Sequence, residues 1–551
     1  MSTIDSQFAR ATDPLRTARG IGVNPDAAVV RDRLGPRDRE DFFRFRLTRR
    51  SFLVASLREY DANASLTLLG ESGGQILRAN FPGTGLDVLL QTAIEPGTYY
   101  LRVAGRRGAT EYQLNVNAIA RNDVDGGAAP TQPITTLFRD VNIGAASSDP
   151  SELVVVGNSL YFAADNGVNG RELFRVSRNG NNATRIDINN TPDQGSDPRD
   201  LVNIDGTLYF SADNGVNGRE LFRITNNARR ATLVADINPG AESSNPSNLI
   251  NYNRTLYFSA DSGVLGQELF RSDGTPDGTI RISDINPGAD SSNPTDFAVV
   301  NDLLYFAANN GINGRELFRT NGTQNGTTLV ADLNIGGTTT GADSSIPTDL
   351  INLNNVLYFA ATGDVVGREL WRYDPATGAN AQPTVVSDIS AGASESSPGT
   401  DFSLLTSNDS IALDQLLDER PNRSAIVSIG NTLYFAATNR QVGRELYRSN
   451  GTAQGTALVS AINAGGNSNP TSLTNINNVL YFAATGDALG NELWRYNPTA
   501  RPNRRLTRIS DINPGDVDSN PADFVAFGNR LVFVATTPAF GRELRFVPLR
   551  P

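Results

Sequence analysis

Short apolar runs recur in a fixed order through most of the chain. The string LYF begins at Leu160, Leu208, Leu256, Leu304, Leu357, Leu433 and Leu480, with LVF at Leu531. Successive copies are 48, 48, 48, 53, 76, 47 and 51 residues apart. Ten residues after each, GRELFR or a variant opens at Gly170, Gly218, Gly266, Gly314, Gly367, Gly443, Gly490 and Gly541. A third run ends near Asp140, Asp187, Asp236, Asp284, Asp332, Asp388 and Asp511, with Ala461 at this position in the remaining copy. A turn of the SSNP type, as at Ser243–Pro246 and Ser291–Pro294, precedes a further short run. In the third unit the pattern predicts strands over 248–251, 255–260, 268–272 and 279–285. NR, DSGVLG and DGTPDG supply the turns between them. β-branched and aromatic residues fill the runs, and no window carries a 3.6-residue period.

Four antiparallel strands per unit, repeated every 40–50 residues or so, predict a β-propeller. The ends of the repeat region argue for a closed ring over an open solenoid. Its first element, residues 135–141, is a fourth strand, and its last, 542–547, is a third strand with no successor. Pairing the two completes an eighth blade and hides two edges. The predicted fold is all-β: a β-sandwich, then an eight-bladed propeller of four-stranded blades.

The repeat resembles the ELWxxDGT-repeat proteins. GQELFRSDGTPDGT (266–279), GRELFRTNGTQNGT (314–327), GRELYRSNGTAQGT (443–456) and DINPGADSSNP (284–294) carry the resemblance. Units 1, 2, 5 and 7 keep the ELF or ELW core and lose the DGT turn. The resemblance implies a secreted or surface-associated propeller without a defined ligand. Residues 21–118 have another texture: REDFFRFRL (39–47), DANASLTLL (61–69), EPGTYYLRV (95–103) and EYQLNV (111–116). Period-two alternation in FFRFRL and YYLRV predicts a small β-sandwich. The order of pieces resembles the bacterial pre-peptidase C-terminal domain. That family is an accessory, non-catalytic module of exported proteins, sometimes calcium-dependent. Residues 1–20 read as an arm, 119–134 as a polar linker and 135–551 as the propeller.

Composition narrows the chemistry. The 551 residues include no Cys and no His, none of the 48 basic residues is Lys, and the one Met is Met1. Disulfides, thiolate nucleophiles, His-based triads and zinc sites, Schiff bases and a Walker lysine are therefore excluded from this chain. A net charge of −11 with dispersed Arg predicts no nucleic-acid partner. No apolar run approaches membrane-spanning length, so no span is expected. MSTIDSQFARATDPLRTARG lacks an apolar h-region, which predicts either a cytoplasmic protein or export without a cleaved Sec leader.

Glu172, Glu220, Glu268, Glu316, Glu369, Glu445, Glu492 and Glu543 repeat in all eight units. Catalysis needs one carboxylate in an asymmetric pocket, so eightfold repetition predicts a blade-internal ion pair or backbone anchor. The Arg three positions on, from Arg175 to Arg495, is read the same way. Pairing the GRE arginine with the DIN aspartate fails, because Gln267 and Asn491 replace the Arg while Asp284 and Asp511 remain. The oxygen-rich loops at Asp165, Asp213 and Asp261 are either candidate calcium sites or good turns. Asp38, Glu40, Asp41 and Asp61 form a second calcium candidate by family analogy. No cofactor is required.

Unit 6 alone carries an insert, 396–424, in which Ile411, Leu413, Leu416 and Leu417 suit a short helix. Leu413, Leu416 and Leu417 are candidate interaction residues; a neutral insertion explains them equally well. The expected function is a non-catalytic extracellular or cell-surface scaffold. It would bind a protein or polysaccharide of the surface or matrix, or another copy of itself. An intracellular structural role within a larger assembly and a carbohydrate-active propeller enzyme are the alternatives.

Overall fold

The computed structural model describes the chain between residues 15 and 549, except 121–134, 335–343, 390–424 and shorter loop stretches. It divides into two compact units, 1–131 and 132–551. In the first, Glu40–Leu47, Ala64–Leu69 and Gly97–Gly105 belong to a five-stranded sheet. Ala28–Leu34, Ser51–Glu59, Val88–Ile94 and Thr110–Ala120 form a four-stranded one. Alternation turns Phe43, Phe45 and Leu47 of one sheet inward, onto Leu53, Ala55 and Leu57 of the other. The two sheets thus share one core.

Among its described residues the second unit has eight four-stranded antiparallel sheets. In seven of them the strands lie in chain order, as in the third: Ser247–Tyr252, Thr255–Asp261, Gln267–Ser272 and Ile280–Ser283. The eighth combines Ala522–Phe527, Arg530–Thr537 and Gly541–Pro548 with Thr136–Arg139 from the other end of the region. Thr136 pairs with Phe546 and Arg139 with Leu544. The expected pairing of first and last elements is therefore present.

The LYF strands are buried on both faces, which explains their unbroken apolar run. Leu208, Phe210 and Ala212 pack toward the first sheet, while Tyr209, one residue out of phase, joins the cluster with the third. Among the described residues each of the eight hydrophobic clusters of this region joins two consecutive sheets, and one joins the eighth to the first through Phe138, Phe527, Leu160 and Phe162. The eight LYF-type phenylalanines, Phe162 to Phe533, are fully buried. Each stabilises the fold by roughly 1.5–3 kcal/mol on the usual scale for a fully buried side chain. The first strands of successive sheets are neighbours, and Ala522–Phe527 lies beside Ser151–Val156. Among the described residues no helix is long and apolar enough to cross a membrane.

Candidate functional site

The turns between second and third strands and the connections from one sheet to the next lie together at one end of the sheets. Gly263, in the turn of this kind in the third unit, approaches Asn238 of the incoming connection. Gly266, at the end of the same loop, meets Ser291 and Asp290 of the outgoing one. The repeated glutamates sit just beneath, at the start of each third strand.

Those glutamates anchor backbone. Ser244 Oγ donates to Glu220 at 2.6 Å, Ser292 to Glu268 at 2.7 Å and Ser468 to Glu445 at 2.6 Å. Backbone N–H groups complete the shell: Ile237 and Ser244 each donate to Glu220 at 2.9 Å. Each serine belongs to the connection into the next sheet, and its carbonyl accepts from the end of that sheet's second strand, as Asp261 N to Ser244 O at 2.8 Å. The device therefore ties neighbouring sheets together. Glu543 completes the series across 395 residues, accepting from Ser148 Oγ at 2.6 Å and Ser148 N at 2.7 Å. Burial pushes Glu172, Glu220, Glu268 and Glu316 up to about 7, against the downward pull of these donors.

The GRE arginine serves the same joint. Arg219, Arg315 and Arg368 donate to the carbonyls of Asp197, Asn293 and Ile346 at 2.7, 2.7 and 2.8 Å. Each carbonyl belongs to the residue before the turn proline, held at φ of 42° to 46°. The site needs a donor rather than a charge, which is why Gln267 serves: its amide donates to Asn245 O at 3.4 Å. Burial lowers Arg315 to about 10. The following arginines, Arg175 to Arg495, lie cross-strand from the LYF tyrosines.

Asp165, Asp213 and Asp261 sit in three different loops. In each, Oδ1 accepts from the glycine N–H two residues on, at 2.7 Å. Asn309 does the same at 2.8 Å in unit 4, so the turn does not require a negative charge. In the N-terminal unit Glu40 pairs with Arg102, and Asp41 accepts from the Tyr112 hydroxyl. Burial, with Asp41 alongside, holds the Tyr112 phenol well above its usual range. Asp38 and Asp61 lie outside the described residues, as do Leu413, Leu416 and Leu417 with the whole 396–424 insert. Among the described residues no three acidic side chains converge in a manner able to hold a metal ion.

A second set of carboxylates was not anticipated. Glu152, Asp200, Asp296, Asp349 and Asp523 occupy a bulge in the first strands at φ of 56° to 59°. Asp200 Oδ1 accepts from Asn248 N at 2.6 Å, Asp296 from Asp349 N at 2.8 Å and Asp349 from Ala425 N at 2.8 Å. Asp200 and Asp296 thus hold the bulge of the next unit, and Asp349 holds the N–H just before the next first strand, Ile426–Ile429. Burial, and then the neighbouring Glu152 charge, pushes Asp200 up to about 8; burial and Asp296 push Asp349 up to about 6. A cavity of about 370 Å³ is lined by Glu152, Asp523, Ser472, Leu153, Leu201 and Phe524 among others. The signal in the sequence is a polar residue two places after each turn proline.

No family model matches the chain, and no curated protein matches it. Solved structures do. Over 20% of its length the chain is similar to the whole pre-peptidase C-terminal domain of a Bacillus anthracis collagenase, at 22% identity and a TM-score of 0.17. Over 72% it is similar to a prolyl endopeptidase, at 10% identity and a TM-score of 0.42, and over 75% to a puromycin-hydrolysing peptidase of Mycobacterium tuberculosis, at 10% and 0.41. The chain spans 55% and 61% of the lengths of these two peptidases. Both are peptidases, which stands against the expectation of a chain without enzymatic activity, and that expectation is not proposed again.

Proposed function

We propose that the eight sheets are blades of a closed eight-bladed propeller of ELWxxDGT-type repeats. In this reading the chain is a cell-surface or extracellular scaffold that binds a protein or polysaccharide through that propeller, with residues 21–118 as an accessory sandwich on a 119–134 linker. The observation that carries the reading is the repeated glutamate–serine joint. It commits polar groups of successive sheets to holding their neighbours, and it recurs between Glu543 and Ser148 at the chain's return. Such a joint makes a stiff platform whose loop end is free to present side chains. Binding surfaces are commonly loops held by a rigid scaffold of this kind.

Class averages from electron microscopy of the purified protein should resolve a ring of eight lobes. An open arc, or another number of lobes, refutes the propeller. Fractionation of producing cells should find the protein in the medium or on the surface, and purified protein should bind those cells saturably. Recovery from the cytoplasm alone refutes the location.

A further inference from the structure

The loops between second and third strands in units 1 to 4 present one exposed aliphatic side chain each: Val168, Val216, Val264 and Ile312. They are 58%, 72%, 72% and 77% exposed. Only nine large apolar side chains are exposed among the described residues, and four of them occupy this single position. Scattered exposure would not choose one site per unit four times running.

The loops that carry them are internally satisfied. Asp or Asn at the base caps the glycine N–H, and Asn214 Oδ1 accepts from Val216 N at 3.0 Å and Asn217 N at 2.9 Å. Asn310 repeats this with Ile312 N at 3.0 Å and Asn313 N at 2.8 Å. The tips are therefore held in place before any partner arrives, which lowers the ordering cost of binding.

Charge alternates with these tips. Glu242 and Asp290 are exposed in the connections between units 2 and 3 and units 3 and 4. Their backbones pack against Gly218 and Gly266, at the ends of the tip loops. The basic residues beside these loops, Arg219 and Arg315, turn inward to carbonyls. Acidic groups are thus left facing out between aliphatic tips. A second copy of a chain with net charge −11 would bring like charges together. The tips are aliphatic, whereas sugar rings favour amphipathic aromatic faces.

The geometry points to a docking track across units 1 to 4 for an extended polypeptide segment that carries aliphatic and basic residues in turn. It names a partner class for the binding role proposed above and rests on that reading.

The test uses the full chain and a fluorescent synthetic peptide repeating Leu-Lys-Ser-Gly. Binding should saturate and weaken as salt rises. The triple variant Val216→Ser, Val264→Ser, Ile312→Ser should lose at least about tenfold in affinity, because three apolar side chains no longer bury surface against the peptide. The pair Glu242→Lys and Asp290→Lys should also weaken binding and flatten its salt dependence. Both variants should melt with the wild type, since only solvent-facing side chains change. The proposal is overturned if the wild type does not bind, if both variants bind as it does, or if a Lys-free Leu-Ser-Gly peptide binds equally well. Wild-type self-association lost in the triple variant would assign the track to a second copy instead. Failure of the peptide alongside retained binding to cells would sink this partner class and leave the broader binding role standing.

Discussion

Position 346 holds isoleucine where the other described units have Asp149, Asp197, Asn245, Asn293, Asn469 and Asn520. All of these residues precede a proline at φ between 42° and 47°. Asn and Asp tolerate this left-handed region; a β-branched residue does so at a cost of roughly 1–2 kcal/mol. Ile346→Asn should therefore raise stability by about 1 kcal/mol, read as a higher urea midpoint at unchanged slope. A second set of residues varies together within the chain. Units with the xGT turn place a hydroxyl after the third-strand arginine: Ser272, Thr320 and Ser449. Ser272 Oγ meets Thr279 Oγ1 at 2.7 Å and accepts from Gly274 N at 3.0 Å. Units without the turn put Val176, Ile224, Tyr373, Tyr496 or Val547 there, and the tyrosines pack on those of the preceding sheet, as Tyr373 on Tyr305 at 5.8 Å. The turn glycine is equally constrained: a Cβ on Gly322, at φ 86°, would lie 2.4 Å from the Tyr257 hydroxyl. Gly322→Ala should cost on the order of 1–3 kcal/mol, and adding Tyr257→Phe should restore part of it in a double-mutant cycle.

At the scale of strands and turns, much was legible. LYFAA announces a strand covered on both faces, and GREL its partner, because apolar period and turn chemistry are local properties. The glutamate was read as a blade-internal ion pair or backbone anchor; it does anchor backbone, but that of the connection into the next sheet. Its serine was not recognised, because in sequence Ser244 is simply part of a turn. Only the fold brings it 24 residues back onto Glu220. The bulge carboxylates escaped for a related reason: their role depends on a left-handed backbone that shows in sequence only as a polar residue two places after the turn proline. Removing one hydroxyl tests the joint. In Ser345→Ala, Glu316 loses a buried donor now at 2.5 Å and should lose about 1–3 kcal/mol of stability. The pH dependence has a definite sign. Glu172, Glu220, Glu268 and Glu316 bind protons more tightly folded than unfolded, so their contribution is present below about 4.5 and lost as pH rises through about 7. Asp200 and Asp349, also raised, act in the same direction. Melting temperature should fall from pH 5 to pH 8, and Ser345→Ala, which removes a donor that favours the ionised form, should steepen that fall.

At the scale of the whole second unit, the eighth sheet depends on residues from both ends of the region. Deleting 133–141 removes the outer strand from Gly541–Pro548 and strips Phe138 from the cluster that joins the eighth sheet to the first. The truncated protein should melt lower and in a broader transition, measured by calorimetry. An unchanged melt would mean that the strand contributes nothing to cohesion. The same pairing also sets how the protein answers a mechanical load. Thr136 lies opposite Phe546, so the chain enters and leaves this sheet at the same end of the ladder. Tension carried through the residues before 136 and after 548 pulls the two strands apart one hydrogen bond at a time, as a zipper opens, instead of shearing all bonds together. In an optical trap holding the protein by these two flanks, the eighth sheet should part first and at low force, while the seven contiguous sheets still hold.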